Sequence, residues 1–275
     1  MGILPSHCIV IPSYNSGCLL EKTLREVLET GWPVFLVVDG STDGSERCAE
    51  PLGSAFGTLE TIRFDENRGK GAAVIAAFEA AHARGFTHAL VMDSDGQHAV
   101  RDIPTMMTLS GRNPEAMILG VPDFGADAPR LRVYWRRVGN WWTRLETLSA
   151  GIRDSLFGFR VYPIQLSLSA LRDTSAGRRF DFETQLAVRL YWAGVRPLNV
   201  LSKVIYPSRS RGGVSHFRYL RDNWLLLRTH LALTLEALPQ IAALLRLRRL
   251  PPLCEPGADA PLRRQGGSRS GECRH

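Results

Sequence analysis

Ala89-Leu90-Val91-Met92-Asp93-Ser94-Asp95-Gly96-Gln97-His98 runs from an unbroken apolar segment straight into two carboxylates one residue apart, with an amide two positions further on. The apolar run reads as a buried strand, and Asp, Ser and Gly directly after it form a turn. That turn has two readings. It is an ordinary Asx turn, or its carboxylate and amide oxygens hold a hard divalent cation such as Mg2+ or Mn2+. The second reading gains force from position, because open α/β sheets bind ligands beyond the carboxyl ends of their strands.

Upstream of this stretch the chain alternates short apolar runs with helical spacing. Cys8 to Ile11, Val34 to Val38 and Leu59 to Phe64 read as strands, and Ala116 to Val121 continues the series downstream. Leu20, Leu24, Val27 and Leu28 place apolar side chains on one helical face. Val74, Ala77, Phe78 and Ala81 do the same within Lys70 to Arg84. Ser45 to Leu52 and Ile103 to Leu109 read as shorter helices. Alternating β and α units with continuous apolar strands predict an α/β fold with a mostly parallel sheet covered on both faces. Ser13-Tyr14-Asn15, Asp39-Gly40-Ser41, Asn67-Arg68-Gly69-Lys70 and the acidic turn then converge on one edge. Further on, Arg130 to Leu148 and Phe182 to Trp192 read as helices, Asp154 to Tyr162 as an extended piece and Leu198 to Ile205 as a strand.

The 275-residue chain carries a net charge of +7, almost all of it arginine, since lysine occurs only at Lys22, Lys70 and Lys203. Arginine favours bidentate contacts to phosphate and carboxylate. No compact Lys/Arg run and no RNA-binding aromatic signature is present, so nucleic acid is not an expected partner. Arg196 to Arg249 holds ten basic residues against two acidic ones, together with Trp224-Leu225-Leu226-Leu227 and the apolar stretch Leu231 to Leu245. That stretch contains Glu236 and Pro239, and the pattern suits a helix lying on an anionic membrane surface better than one crossing it. Residues 216–250 are expected as this amphipathic segment, after a catalytic domain over 1–215 and before a disordered Pro/Gly/Arg-rich tail over 251–275. The five cysteines are odd in number and lack C-x-x-C spacing, which fits a reducing cytosol. The N-terminal residues lack a basic region followed by an apolar run, so no secretory leader is expected.

Lys70 opens a helix between two glycines, which suits an anion at the helix start. The spacing is neither a Walker P-loop nor a dinucleotide fingerprint. Taken in order, Pro12-Ser13-Tyr14-Asn15, Val38-Asp39-Gly40-Ser41-Thr42-Asp43-Gly44-Ser45, Asn67-Arg68-Gly69-Lys70-Gly71 and Asp93-Ser94-Asp95 resemble family 2 glycosyltransferases of the GT-A fold. The pattern Asp-x-Asp-x-Gln at Asp93, Asp95 and Gln97 is similar to that of dolichyl- or polyprenyl-phosphate mannosyltransferases. So are Asp154 with Phe157-Gly158-Phe159-Arg160, then Phe182-Glu183, then Arg209 with Gly213 and Ser215-His216. The resemblance runs from Pro12 to His216. Departures are Val38 in place of a first aspartate, Gly120-Val121-Pro122 in place of Gly-Ser-Arg, and Gln185 in place of a second glutamate.

The resemblance implies a nucleotide-diphospho-sugar transferase fold with C-terminal amphipathic helices. It implies inverting transfer of one sugar from a UDP- or GDP-linked donor to a lipid-linked acceptor, polyprenyl phosphate, at the cytoplasmic face of the membrane. The Gln-x-x-Arg-Trp signature of processive synthases is absent, in keeping with a single transfer. By position, Pro12, Tyr14 and Asn15 would line the base pocket and Asp39 would accept a hydrogen bond from the base. Lys70 and Ser94 would lie near the donor, and Asp93, Asp95 and Gln97 would hold Mg2+ or Mn2+. Arg132, Arg160 and Arg209 are candidate phosphate contacts. Asp95, Asp154 and Arg209 would be catalytic, Asp154 as the base needed for a hydroxyl acceptor, with Asp181 and Glu183 behind it. Other readings are transfer to a hydroxyl of a glycolipid or saccharide, a sugar-nucleotide nucleotidyltransferase, and a non-catalytic lipid-surface binding protein.

Overall fold

The computed structural model describes residues 6–124, 130–172, 181–205, 219–248 and 253. The strands are β1 (His7–Ser13), β2 (Val34–Asp39), β3 (Leu59–Phe64), β4 (His88–Val91), β5 (Ala116–Asp123), β6 (Arg160–Pro163) and β7 (Arg196–Lys203). Between and after them come α1 (Leu19–Leu28), α2 (Ala49–Phe56), α3 (Lys70–Ala83), α4 (Ile103–Arg112), α5 (Arg130–Thr147), α6 (Ile164–Leu171), α7 (Phe182–Trp192), α8 (Tyr219–Ala237) and α9 (Ile241–Arg248). The strands form one seven-stranded sheet in the order β3-β2-β1-β4-β6-β5-β7.

Alternation along the strands builds the two faces. Cys8, Val10, Phe35 and Val37 pack with Val74, Phe78 and Leu186 on one side. Ile9, Ile11, Val34 and Leu36 pack with Leu24, Met106 and Ile118 on the other. The middle of each of these strands, Cys8 to Pro12 and Val34 to Val38, is therefore apolar without a break, as a sheet covered on both faces demands.

β1 pairs in parallel with β2 and β4, and β2 with β3. The piece expected as extended from Asp154 resolves differently. Only Arg160–Pro163 is strand, and it runs antiparallel between β4 and β5. Its direction has a consequence for the site. A reversed strand presents its incoming segment, residues 154–159, at the edge where parallel strands present their outgoing loops.

α8 and α9 dock by one side, with Leu233, Ala237 and Leu244 buried. No helix among the described residues is long and apolar enough to cross a membrane. The expected boundary at 215/216 lies outside the described residues, as does most of 251–275. Leu253, inside the expected tail, packs against the α1-side core.

Candidate active site

The loops leaving β1 to β4 are cross-linked to one another by their own polar groups. Asn15, in the left-handed region at φ 47°, donates its N–H to Ser41 Oγ (3.1 Å), and its Oδ1 accepts the Thr42 N–H (2.8 Å). Gly17 N–H donates to Asp43 Oδ2 (2.9 Å). Ser16 Oγ lies 2.9 Å from Ser13 Oγ and 2.7 Å from Ser94 Oγ, a buried hydroxyl chain from the first loop to the acidic turn. Pro12 is buried at the end of β1, whereas Tyr14 stands exposed at the rim. Gly40 holds a positive φ where a Cβ would collide with the backbone of Glu66 and Asn67, so the second and third loops meet in direct contact.

Asp39 is 3% exposed, and its two oxygens accept the backbone N–H groups of Arg68 (2.7 Å) and Gly69 (2.9 Å). Its carboxylate holds the start of α3 in place.

The start of α3 points Lys70 into the acidic turn. Its ammonium bonds both Asp93 and Glu183, the latter in the first turn of α7. His98 Nε2 lies 3.1 Å from Asp93 Oδ2, its ring stacked on Phe159 (5.3 Å, 16°) and edge-on to Phe157 (4.8 Å). Gly158 lies against the pair. A Cβ there would come within 2.7 Å of Lys70 Nζ and 2.8 Å of Asp93 Oδ2. Burial alone would raise the Asp93 pKa, but Lys70 and His98 outweigh it and hold the carboxyl well below the usual range. For Lys70 burial would favour the neutral amine, and the charges of Asp93 and Glu183 reverse this and raise its pKa. Asp95 differs. Burial, then the charge of Asp93, raise its pKa. Its Oδ1 accepts the Gln97 N–H (3.0 Å), and Gln97 is partly exposed beside it.

This donor set fits a hard cation. Mg2+-type sites use one or two carboxylates and take the remaining oxygens from phosphate and water. Asp93 and Asp95 supply that many, and Asp95 carries a part-buried charge that Asp93 destabilises.

The remaining expected residues are dispersed. Asp154 is buried, and its carboxylate accepts Arg136 Nη1 (2.6 Å), Asn140 Nδ2 (3.3 Å) and the N–H groups of Leu156 (3.0 Å) and Phe157 (2.7 Å). Burial would raise its pKa, but Arg136, Arg160 and the Leu156 N–H together outweigh burial and lower it. A carboxylate so stabilised in its ionised form is a poor proton acceptor. Asp181 Oδ2 accepts Gln185 Nε2 (2.8 Å) and Thr229 Oγ1 (3.1 Å). Arg160 is 0% exposed and spends its donors internally. They go to Phe157 O (2.7 Å), Tyr162 Oη (3.0 Å), Glu183 O (2.8 Å) and Asp154 O (3.0 Å), so it is no phosphate contact. Arg209 and His216, and the side chain of Arg132, lie outside the described residues.

Sequence reasoning overlooked Ser16, Arg136 and Asn140. Arg136 and Asn140 carried a readable signal, two polar side chains four apart on one face of an aromatic helix. Ser16 carried none.

The profile described as glycosyl transferase family 2 matches residues 8–165. Among relatives, glycosyltransferase AglD of Haloferax volcanii is 29% identical over 199 residues, covering 68% of this chain but 31% of that protein. The undecaprenyl-phosphate mannosyltransferase of Micrococcus luteus is 23% identical over 220 residues, covering 74% of this chain and 87% of that one. Among solved structures, glucosyl-3-phosphoglycerate synthase from Mycobacterium tuberculosis, in complex with Mn2+, UDP-glucose and phosphoglyceric acid, superposes with a TM-score of 0.60. The identity is 13%, with 85% of this chain and 79% of that one covered.

Proposed function

We propose a function that starts from one premise: the chain belongs to glycosyl transferase family 2 and has the GT-A fold. On that premise it moves a single sugar, with inversion, from a nucleotide-diphosphate sugar to a lipid-linked acceptor, polyprenyl phosphate. The observation that carries this reading is Asp95, a part-buried carboxylate beside Asp93 just beyond the carboxyl end of β4, with Lys70 across from them. Mg2+ or Mn2+, the latter present in the mycobacterial structure, would be held by Asp93, Asp95 and Gln97 and would neutralise charge on the diphosphate leaving group.

The chain's own groups do the rest. Tyr14 at the rim and Asn15 in its turn shape the base pocket. Asp39 fixes the Asn67–Lys70 loop, so that Lys70 presents its charge at the edge where the diphosphate lies. Ser94, tied to Ser16, keeps the acidic turn from drifting.

Two observations favour a phosphate acceptor. The three carboxylates proposed as bases, Asp154, Asp181 and Glu183, are each committed to side-chain partners. An anionic phosphate needs positioning and no base, unlike a hydroxyl. The relative from Micrococcus luteus is named for an undecaprenyl-phosphate acceptor.

Membrane proximity is part of the proposal. Trp224, Leu227, Leu231, Leu235, Leu238, Ile241 and Leu245 follow helical spacing along α8 and α9. All are exposed, Trp224 at 63% and Leu235 at 68%. Arg228 and Arg246 are exposed on the same two helices. An apolar row with arginines beside it suits the headgroup region of an anionic leaflet. Residues 216–250 thus seat the catalytic domain on the cytoplasmic face.

The test is release of nucleoside diphosphate from a panel of UDP- and GDP-sugars, with and without Mn2+ or Mg2+, and with polyprenyl phosphate or a glycolipid as acceptor. Metal-dependent release stimulated by polyprenyl phosphate is expected. No metal-dependent turnover with any donor would sink the reading, and stimulation by the glycolipid alone would move the acceptor to a hydroxyl. Liposomes of anionic lipid should retain the protein, and recovery wholly in the supernatant would refute the interfacial role of α8 and α9.

A further inference from the structure

Lys70 is enclosed where a lysine at a helix start would ordinarily extend into water. Its ammonium meets Asp93 from the turn after β4 and Glu183 from α7, only 15% of its side chain is exposed, and Gly158 closes a third side. The oxygens of Asp93 are therefore claimed twice, by Lys70 now and by the cation and diphosphate of the proposed reaction. A lysine with Asp93 alone for a partner would be expelled by that competition. A second carboxylate on a separate element prevents it.

From these contacts we infer that Glu183 is a positioning residue, an anchor that keeps the Lys70 ammonium at the site edge when Asp93 is taken up by the donor. The inference rests on the nucleotide-sugar reading above and moves Glu183 from candidate base to anchor.

The backbone of Glu183 is built for this. Arg160 Nη1 donates to Glu183 O (2.8 Å), and Thr184 Oγ1 donates to Ser155 O (3.1 Å), so the first turn of α7 is locked to the 154–157 segment. The side chain, 6% exposed, reaches Lys70 from that fixed base. An anchored ammonium acts as a preorganised point charge toward phosphate oxygens and needs no reorganisation when the donor arrives. It also leaves the incoming diphosphate facing Asp93 and Asp95 with the Glu183 charge already neutralised.

The decisive measurement, nucleotide binding, needs no acceptor and no turnover. Calorimetry on the full chain would measure UDP and GDP binding in the presence of Mn2+ for wild type, Glu183→Gln, Lys70→Met and the double variant. Glu183→Gln should weaken nucleotide binding roughly ten- to a hundredfold, the scale of a lost charged hydrogen bond. The double variant should bind no more weakly than Lys70→Met, because the anchor acts only through the lysine. Donor KM should rise more than kcat falls. Unchanged nucleotide affinity in Glu183→Gln overturns the anchor, whether the variant loses only melting temperature, as a structural residue would, or only turnover, as a base would. Additive losses in the double variant overturn it too. If Glu183→Gln does not fold, Glu183→Asp answers the same question: weakened binding supports the anchor and unchanged binding overturns it. A wild-type chain that binds neither nucleotide sinks the donor reading and the anchor with it. Wild-type binding beside an indifferent Glu183→Gln sinks the anchor alone.

Discussion

Two inward-facing cations, Lys70 and Arg160, meet at one residue and could hardly be treated more differently. Arg160 gives its donors to three backbone carbonyls and the Tyr162 hydroxyl. Lys70 gives its donors to two carboxylates, Asp93 and Glu183, at the rim of the sheet. Glu183 serves both, its backbone carbonyl toward Arg160 and its side chain toward Lys70. A cation satisfied by backbone has nothing left to exchange, and its role is to fix chain path. A cation satisfied by carboxylates can trade partners when a competing cation or anion arrives. The kind of acceptor, more than burial or charge, separates the structural ion from the functional one.

The comparison is broken most directly at Arg160. Arg160→Met strands four buried acceptors and should cost about 3–5 kcal/mol of stability, read by urea denaturation. A loss near zero would show that the guanidinium does not organise the 154–160 segment. Asp95→Ala should do the opposite. Turnover should fall by about 10²–10³-fold while the melting temperature holds or rises, because a part-buried carboxylate crowded by Asp93 is removed. Full activity in that variant would remove the metal role. Gly158→Ala sharpens the Lys70 side. Its methyl group would displace Lys70 or Asp93, and a shift of that size should cost about 10²-fold in kcat/KM with little change in unfolding. Asp154→Asn is the gentlest, at about 1–3 kcal/mol. The Asp154 carboxyl in the folded state lies below the ~3.9 of an unfolded aspartate. Its stabilisation is therefore present above about pH 4 and fades as the pH falls through the folded value. The variant should lose that portion of the acid sensitivity, seen by comparing melting temperatures between pH 3 and pH 6.

Most of the sheet was legible because β1, β2 and β4 carry unbroken apolar runs and the loops after them carry turn residues. The convergence of four loops followed from parallel strands alone. The direction of β6 was not legible, since Phe157 to Tyr162 has the same apolar pattern whichever way it runs. The site divided along a similar line. Asp93, Asp95 and Lys70 stood out because a strand end or a helix start marks their place. Arg160 looked like a phosphate contact, and Asp154 like a base, because spacing shows which charges exist and says nothing of which backbone groups satisfy them. Glu183 appeared only as a spare carboxylate. Its pairing with Lys70 spans more than a hundred residues and depends on how α7 docks.

Gly158 carries no charge, no hydroxyl and no side chain, yet any substitution there intrudes on Lys70 and Asp93 together. In a library of random variants selected for activity, this position would be as intolerant as the acidic turn itself. In the same library sorted for folded protein, it would pass as an ordinary loop residue. Genetic screens that rank positions by lost activity would thus place a hydrogen atom among the catalytic groups, an assignment that only a paired screen for abundance would undo.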